Sequence, residues 1–274
     1  MERRTFITSS SNPRLKTIRR LRRARRRDDA FLVEGFRQVA CALDARAPVR
    51  ELYSAPQLHL GSCEGELVRE AERRGVAVAE LSAAAFESIS GHARPDGIAA
   101  VVDRWSTSLD LLVLPPSPLA LVAEAVERPG NLGAIVRSAC AAGVDALIVA
   151  DGCTDLFHPE TVRGSVGTLF KLPAATTTTT RAIAWLRACE LRIVVATPDA
   201  QRTCWDVDLG GAAALVVGNE RHGVSSAWLQ AADDAVAIPM PGPADSLNVA
   251  VAAGVVMFEA ARQRAHTESL QRFS

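Results

Sequence analysis

The chain has 274 residues, 48% of them apolar, with 31 basic and 31 acidic side chains, enough for one large or two ordinary domains around a real core. It has no run of eighteen apolar residues and begins polar and basic, so neither a transmembrane span nor a signal peptide is expected. Six cysteines (Cys41, Cys63, Cys140, Cys153, Cys189, Cys204) and five histidines are dispersed without metal-ligand spacing. That pattern points to reduced thiols in a cytoplasmic protein and to no metal site.

Zero net charge conceals an uneven distribution. Residues 1–27 hold eleven Lys or Arg (Arg3, Arg4, Arg14, Lys16, Arg19, Arg20, Arg22, Arg23, Arg25, Arg26, Arg27) against Glu2 alone, which leaves the rest of the chain at −10. A basic arm on an acidic body is the footprint of a polyanion binder, although a solubilising or targeting tail has the same composition. Ser11-Asn12-Pro13 reads as a helix start, with Leu15, Ile18 and Leu21 or Arg22 at helical spacing, so a basic helix on a folded domain fits better than a loose tail. Arginine dominates, which favours bidentate phosphate contacts.

The next stretch reads as a small α/β unit. Phe31-Leu32-Val33 is a strand, and a helix runs through Val39 and Leu43. Val49 to Tyr53 is a strand, Glu64 to Arg74 an amphipathic helix stopped by Gly75, and Val76 to Val78 a strand,. Leu81 to Ile89 is a helix and Gly97 to Val102 a strand. Trp105 to Pro118, rich in proline and hydroxyl residues, reads as a linker,.

From Leu119 the pattern alternates. Leu119 to Val126, Ala146 to Ala150, Arg192 to Thr197, Ala213 to Val217 and Ala235 to Ile238 read as strands. Leu132 to Ala142, Arg181 to Glu190 and Ser225 to Gln230 read as helices, and His158 to Thr168 as irregular helix. Lys171-Leu172-Pro173 is extended, and the run Thr176–Thr180 is a helix entry or surface turn,. Such alternation argues for a mostly parallel sheet covered on both faces, with ligands at the carboxyl ends of its strands. Past Ile238, three prolines and Gly242 hold the chain out of helix. Asp245 or Ser246 can cap the helix that follows, which is apolar from Leu247 to Phe258 and so should be buried,.

Three loops carry candidate chemistry. Gly218 to Ser225 has the glycine spacing of a phosphate loop but Val224 where that loop needs Lys, which disfavours a nucleotide triphosphatase,. Its glycines still allow close approach of a ligand. Asn131, Gly133, Ile135 and Arg137 form N-x-G-x-I-x-R at a helix start that Asn131 can cap,. Arg137 could grip a phosphate or carboxylate, but this motif alone also describes a capped helix with a surface Arg. The third loop offers Ser246 and Asn248.

In order, N-x-G-x-I-x-R at 131–137, V-V-G-N-E-x-x-G-V-S at 216–225 and I-P-M-x-G-x-x-x-S-L-N-V at 238–249 resemble the three signature motifs of the SpoU (TrmH-like) family of RNA ribose 2′-O-methyltransferases, in the SPOUT superfamily. The resemblance covers residues 119–264. More weakly, Ser11 to Lys16, Phe31 to Gly35 and Gly97 to Val101 resemble the family's substrate-binding domain. Within the family, the Arg- and Ala-rich sequence most closely resembles an avilamycin-resistance branch acting on 23S ribosomal RNA.

The resemblance implies an α/β fold in two parts. A ribosomal-protein-like RNA-binding domain would occupy 1–104 and a linker 105–118. A parallel-sheet SPOUT domain with a deep trefoil knot would occupy 119–274. It also implies a homodimer, with S-adenosylmethionine and no metal. Backbone at Gly218, Ile238 and Leu247 would contact the cofactor, with Val217, Asn219, Met240 and Asn248 lining its pocket. Arg137 would be the principal catalytic residue, supported by Asn131, Glu220, Ser246 and Asn248. Arg14, Lys16, Arg19, Arg20, Arg22 and Arg23 would meet RNA, and Arg128 could add a phosphate contact. A guanidinium is a poor base, so Arg137 is read as positioner of a phosphate and stabiliser of developing alkoxide charge. Glu220 then fixes Arg137 or Asn131. The chain departs from many relatives at Arg128, where they have Asp, and at Asn219, where they have Ser.

Overall fold

A computed structural model of the protein describes residues 5–23 and 28–271. The chain divides into two compact units, Met1–Trp105 with Leu156–Lys171, and Ser106–Asp155 with Leu172–Ser274.

The first unit holds β1 (Thr5–Ile7), α1 (Pro13–Leu21), β2 (Ala30–Glu34), α2 (Phe36–Asp44), β3 (Val49–Ser54), α3 (Cys63–Arg73), β4 (Ala77–Leu81), α4 (Ala83–Glu87) and β5 (Ile98–Asp103). Its mixed sheet has the order β1-β4-β3-β5-β2, with β5 antiparallel to both neighbours. In α1 the Asn12 side chain accepts from the Arg14 N–H, and Pro13 occupies the first turn, where its missing N–H costs nothing. Leu15, Ile18 and Leu21 are buried, which leaves the basic residues on the other side. The apolar stripe thus fixes which way the positive charge faces. β1, just before this helix, is not foreshadowed in the sequence reading; it pairs with β4 as an edge strand.

Leu156–Lys171 belongs to this unit through an aromatic cluster. Phe157 meets Trp105 edge-on at 4.7 Å and lies 4.8 Å from Phe31 between ring centroids, while Phe170 stacks on Phe31 at 6.3 Å. Gly167 has φ +88°, and a Cβ there would sit 2.7 Å from the Cys41 sulfur, so both backbone and space require glycine.

The second unit holds β6 (Leu119–Glu124), α5 (Pro129–Ala141) and β7 (Ala146–Ala150); α6 (Pro159–Ser165) lies in the intervening segment of the first unit. It resumes with β8 (Ala174–Thr177), α7 (Thr179–Ala188), β9 (Arg192–Ala196), β10 (Arg202–Thr203), β11 (Ala213–Val217), α8 (Ser226–Ala231), β12 (Asp234–Ala237) and α9 (Val249–Gln271). The sheet order is β10-β12-β9-β11-β6-β7-β8, and every pairing among the described residues is parallel. The central strands β6, β7 and β11 are buried throughout, as their apolar runs require, with Glu124 at the end of β6 the one charged residue among them. In the span 106–118, Leu109 is buried in this unit's core, and Thr107 accepts from the Thr176 N–H at 2.9 Å.

Several local expectations change. The threonine run is a helix entry only in its second half: Thr178 caps α7 through the Arg181 N–H, while Thr176 and Thr177 end β8. Helix α5 starts two residues before Asn131, because Pro129 takes its first position and Arg128 is the cap. Helix α9 starts at Val249, not at Asp245 or Ser246. The Asn248 side chain accepts from the Ala250 N–H at 2.9 Å and its carbonyl from Ala252, which is the geometry of an N-cap. Nor is α9 buried all round. Val249, Ala253, Val256 and Met257 face the core, but Val251 is 51% and Phe258 52% exposed.

Helix α9 packs on α5 and β11. Its far end is tied down by Arg264, which donates to the carbonyls of Ser117 at 2.8 Å, Pro118 at 3.0 Å and Gly211. Among the described residues no helix is long and apolar enough to cross a membrane, and no group of three or more His, Cys, Asp or Glu could hold a metal.

Candidate active site

The three loops meet at the carboxyl ends of β6, β11 and β12. The loop after β11 folds back on itself: Asn219 and Gly223 exchange backbone hydrogen bonds at 2.9 and 3.0 Å. A Cβ on Gly218 would lie 2.3 Å from the Gly223 carbonyl and the Val224 nitrogen. Glycine is therefore needed here for the chain's own backbone, a more immediate reason than ligand approach. The Asn219 Oδ1 accepts from the N–H groups of Arg221 at 2.8 Å and His222 at 3.1 Å. Its Nδ2 donates to the Ala125 carbonyl at 3.0 Å and to Glu127 Oε1 at 3.2 Å. Asn219 thus shapes its own loop and ties it to the turn after β6, which a serine could not do with so short a side chain.

Because α5 begins early, Asn131 is not a cap. It lies in the first helical turn, with its carboxamide turned to the other loops. Its Nδ2 donates to Glu220 Oε1 at 2.7 Å, and its Oδ1 accepts from Asn248 Nδ2 at 3.1 Å. The second Glu220 oxygen accepts from the Glu127 N–H at 3.2 Å. One chain of hydrogen bonds, Glu220–Asn131–Asn248, therefore joins all three loops. Burial works to raise the Glu220 carboxyl, but the bond from Asn131 and backbone N–H groups at Glu220, Glu127 and Arg128 outweigh it. The group sits below its ordinary value and is an anion at neutral pH.

Beside this chain is a cavity of about 250 Å³ lined by Val217, Gly218, Asn219, Glu220, Ile238, Met240, Ser246 and Leu247. Six of the seven residues expected to hold a cofactor are among these. The seventh, Asn248, lines an adjacent groove between α5 and α9 with Asn131, Ser138, Val251 and Phe258. Ser246 is exposed, and its hydroxyl donates to Asp245 at 3.4 Å. Arg137 is exposed on α5, makes no hydrogen bond or ion pair among the described residues, and does not line the cavity. Glu220 is therefore bonded to Asn131 and not to Arg137.

Sequence reasoning missed Arg221 and the end of β9, where Ala196, Thr197 and Pro198 also line the cavity. A Thr-Pro pair at the carboxyl end of a parallel strand was the available signal. It also missed Glu124, 5% exposed at the end of β6, which accepts from the Ser225 N–H at 2.7 Å and the Thr179 hydroxyl at 3.3 Å. The Trp228 ring N–H donates to that hydroxyl at 3.2 Å. This buried carboxylate anchors the segment leaving the Gly218 loop.

In the first unit the basic residues of α1 divide by partner. Arg14 pairs with Glu51 at 2.9 Å and Arg20 lies 3.6 Å from Asp28. Arg19 and Arg22 donate to the carbonyls of Ser10 and Ser90, each at 2.5 Å. Lys16 and Arg23 are exposed with no partner among the described residues. Arg128, on the second unit, is exposed. Arg3, Arg4, Arg25, Arg26 and Arg27 lie outside the described residues.

The SpoU rRNA Methylase family profile matches residues 118–258, and that of the MRM3-like substrate binding domain matches residues 12–100. The chain is 35% identical over 249 residues to a 23S rRNA (uridine(2479)-2′-O)-methyltransferase of Streptomyces viridochromogenes, spanning 89% of this chain and 86% of that protein. It is 30% identical over 258 residues to the 23S rRNA (guanosine(2553)-2′-O)-methyltransferase RlmP of Bacillus subtilis (strain 168), spanning 92% and 97%. The crystal structure of the SpoU methyltransferase AviRb from Streptomyces viridochromogenes in complex with AdoMet matches with a TM-score of 0.84 at 31% identity, covering 93% of this chain and 100% of that one.

Proposed function

The chain belongs to the SpoU rRNA methylase family, and from that premise we propose that it methylates the 2′-hydroxyl of a ribose in 23S ribosomal RNA, with S-adenosylmethionine (AdoMet) as donor. The observation that carries the reading is the hydrogen-bonded chain Glu220–Asn131–Asn248 beside the cavity at the ends of β11 and β12. The residues present suit the donor. Val217, Ile238, Met240 and Leu247 offer apolar walls, and the Glu220 carboxylate offers a counter-charge. Backbone at Gly218, Ile238 and Leu247 would hold it, with Asn219 and Asn248 alongside. When bound, AdoMet supplies a methyl group already activated on a sulfonium.

The protein's own task is orientation and charge stabilisation. Arg137 grips the RNA phosphate next to the target ribose and stabilises charge on the 2′-oxygen as its proton leaves. Among the described residues its side chain has no hydrogen-bond or ion partner, which leaves its donors available for this. Glu220 fixes Asn131, and Asn131 with Asn248 and Ser246 sets the position of the sugar. Lys16 and Arg23, with Arg14, Arg19, Arg20 and Arg22 around them and Arg128 on the second unit, contact phosphates.

The reading includes a deep trefoil knot, which rests on membership of the SpoU family. It includes a homodimer, supported by the exposed apolar side of α9 at Val251 and Phe258, which continues the groove holding Asn131 and Asn248. It includes a cytoplasmic location, carried over from the dispersed cysteines, and a role in resistance to a ribosome-targeting antibiotic such as avilamycin, carried over from the resemblance noted in the sequence. The test is methyl transfer from labelled AdoMet to 23S and 16S RNA, followed by reverse-transcription stops at low nucleotide concentration. Label and one stop confined to 23S RNA are expected. Label in 16S RNA alone, or on a base instead of a ribose, would overturn the reading.

A further inference from the structure

The cavity at the ends of β9, β11 and β12 has two charged residues among its described lining, and they are consecutive: Glu220 and Arg221. Glu220 is engaged by Asn131 and by the turn after β6. Arg221 is differently placed. Its side chain is 74% exposed, and its ion partner is Glu127, with Nε 3.7 Å from Oε2. That distance is too long for a good hydrogen bond, and an exposed pair of this kind holds its partners weakly. The loop geometry nevertheless fixes where Arg221 starts from, because the Asn219 Oδ1 accepts the Arg221 backbone N–H at 2.8 Å. Glu127, in turn, is held by Asn219 Nδ2. A cation is thus presented at the cavity with a loosely held counter-ion beside it.

AdoMet carries a sulfonium, an ammonium and one carboxylate. An acidic residue in the cavity answers the first two, while the carboxylate is matched best by a cationic donor, and Arg221 is the cationic side chain among the described lining. We propose that Arg221 binds the carboxylate of the amino-acid tail of AdoMet, leaving Glu127 to do so. This rests on the reading of the cavity as the AdoMet site. Guanidinium and carboxylate match as a two-bonded pair, and the exchange trades a poor ion pair for a better one.

The test is calorimetric titration of the full-length protein with AdoMet and with decarboxylated AdoMet, in wild type, Arg221→Gln, Arg221→Lys and Glu127→Gln. Wild type should prefer AdoMet. Arg221→Gln should lose roughly tenfold in affinity for AdoMet, the range of a partly exposed charge-assisted contact, and nothing for the decarboxylated analogue. Raising the salt concentration should shrink that difference. Arg221→Lys should keep part of the preference, and Glu127→Gln should bind AdoMet at least as tightly as wild type.

If wild type binds AdoMet and Arg221→Gln binds it equally well, the assignment of Arg221 is wrong while the proposed function stands. Equal losses for both ligands would make Arg221 a structural residue of the loop and overturn the assignment. So would unchanged AdoMet binding with weakened RNA binding, which would make it a phosphate contact. If wild type binds neither ligand, the proposed function itself fails.

Discussion

Removing either end of the Glu220–Asn131 hydrogen bond should slow methyl transfer, and removing both should slow it little further. In Glu220→Ala the Asn131 Nδ2, now 2.7 Å from an acceptor, and the Glu127 N–H, 3.2 Å from one, both lose the carboxylate. A hydrogen bond to a charged group contributes about 1.5–3 kcal/mol. Glu220 is only partly buried, so water compensates some of this and the lower end applies. That is a rate loss of roughly ten- to thirtyfold if the carboxamide is needed in the transition state. Asn131→Ala should cost at least as much, because it also strips Asn248 of its acceptor. In the double variant the shared bond is lost once, so the two effects should fall short of multiplying by about 1–2 kcal/mol. The assay is single-turnover transfer at saturating AdoMet and RNA for all four proteins. Effects that simply multiply would refute the coupling.

Four further predictions follow from the same geometry. The Glu220 carboxyl lies below its ordinary value of 4.5 when folded, so its stabilisation is present above that value and is lost as pH falls through the lowered one. Urea midpoints should therefore drop more steeply below pH 4.5 in wild type than in Glu220→Gln, and equal slopes would count against the shift. Gly218→Ala should lower stability by about 2–4 kcal/mol and weaken AdoMet binding, since its Cβ would meet backbone at 2.3 Å; an unchanged melting temperature would contradict this. Arg137→Ala should abolish turnover with AdoMet affinity nearly intact, as Arg137 lies off the cavity, and loss of AdoMet binding would refute its assigned role. Lys16→Ala with Arg23→Ala should flatten the salt dependence of RNA affinity by roughly 0.7–0.9 per lost phosphate contact; an unaltered slope would take α1 out of the RNA interface.

Much of the fold was legible because its signals are local. The buried runs of β6, β7 and β11 read as parallel strands, and the Asn12-Pro13 start of α1 follows from capping chemistry alone. Helix entries misled where start signals competed: Pro129 at the first helical position moved the start of α5 ahead of Asn131, and Asn248 capped α9 in place of Asp245 or Ser246. Those shifts matter, because they leave both asparagines with side chains that bond across loops. The meeting of positions 131, 220 and 248 is a long-range fact that no local pattern encodes; resemblance to a family indicated it. What stayed hidden was context-dependent. Which of Asn131 and Arg137 bonds Glu220, the tie from Asn219 to Glu127 and the buried Glu124 depend on strand order, and the membership of Leu156–Lys171 in the first unit depends on aromatic packing with Phe31 and Trp105.

The proposed AdoMet site is a single one, built from turns far apart in the chain. Amide hydrogen exchange with and without AdoMet measures this directly. Slowed exchange should appear together at 196–198, 217–223 and 238–248, with the Lys16 helix unaffected. Protection of only one of those segments, or protection confined to the first unit, would contradict the account.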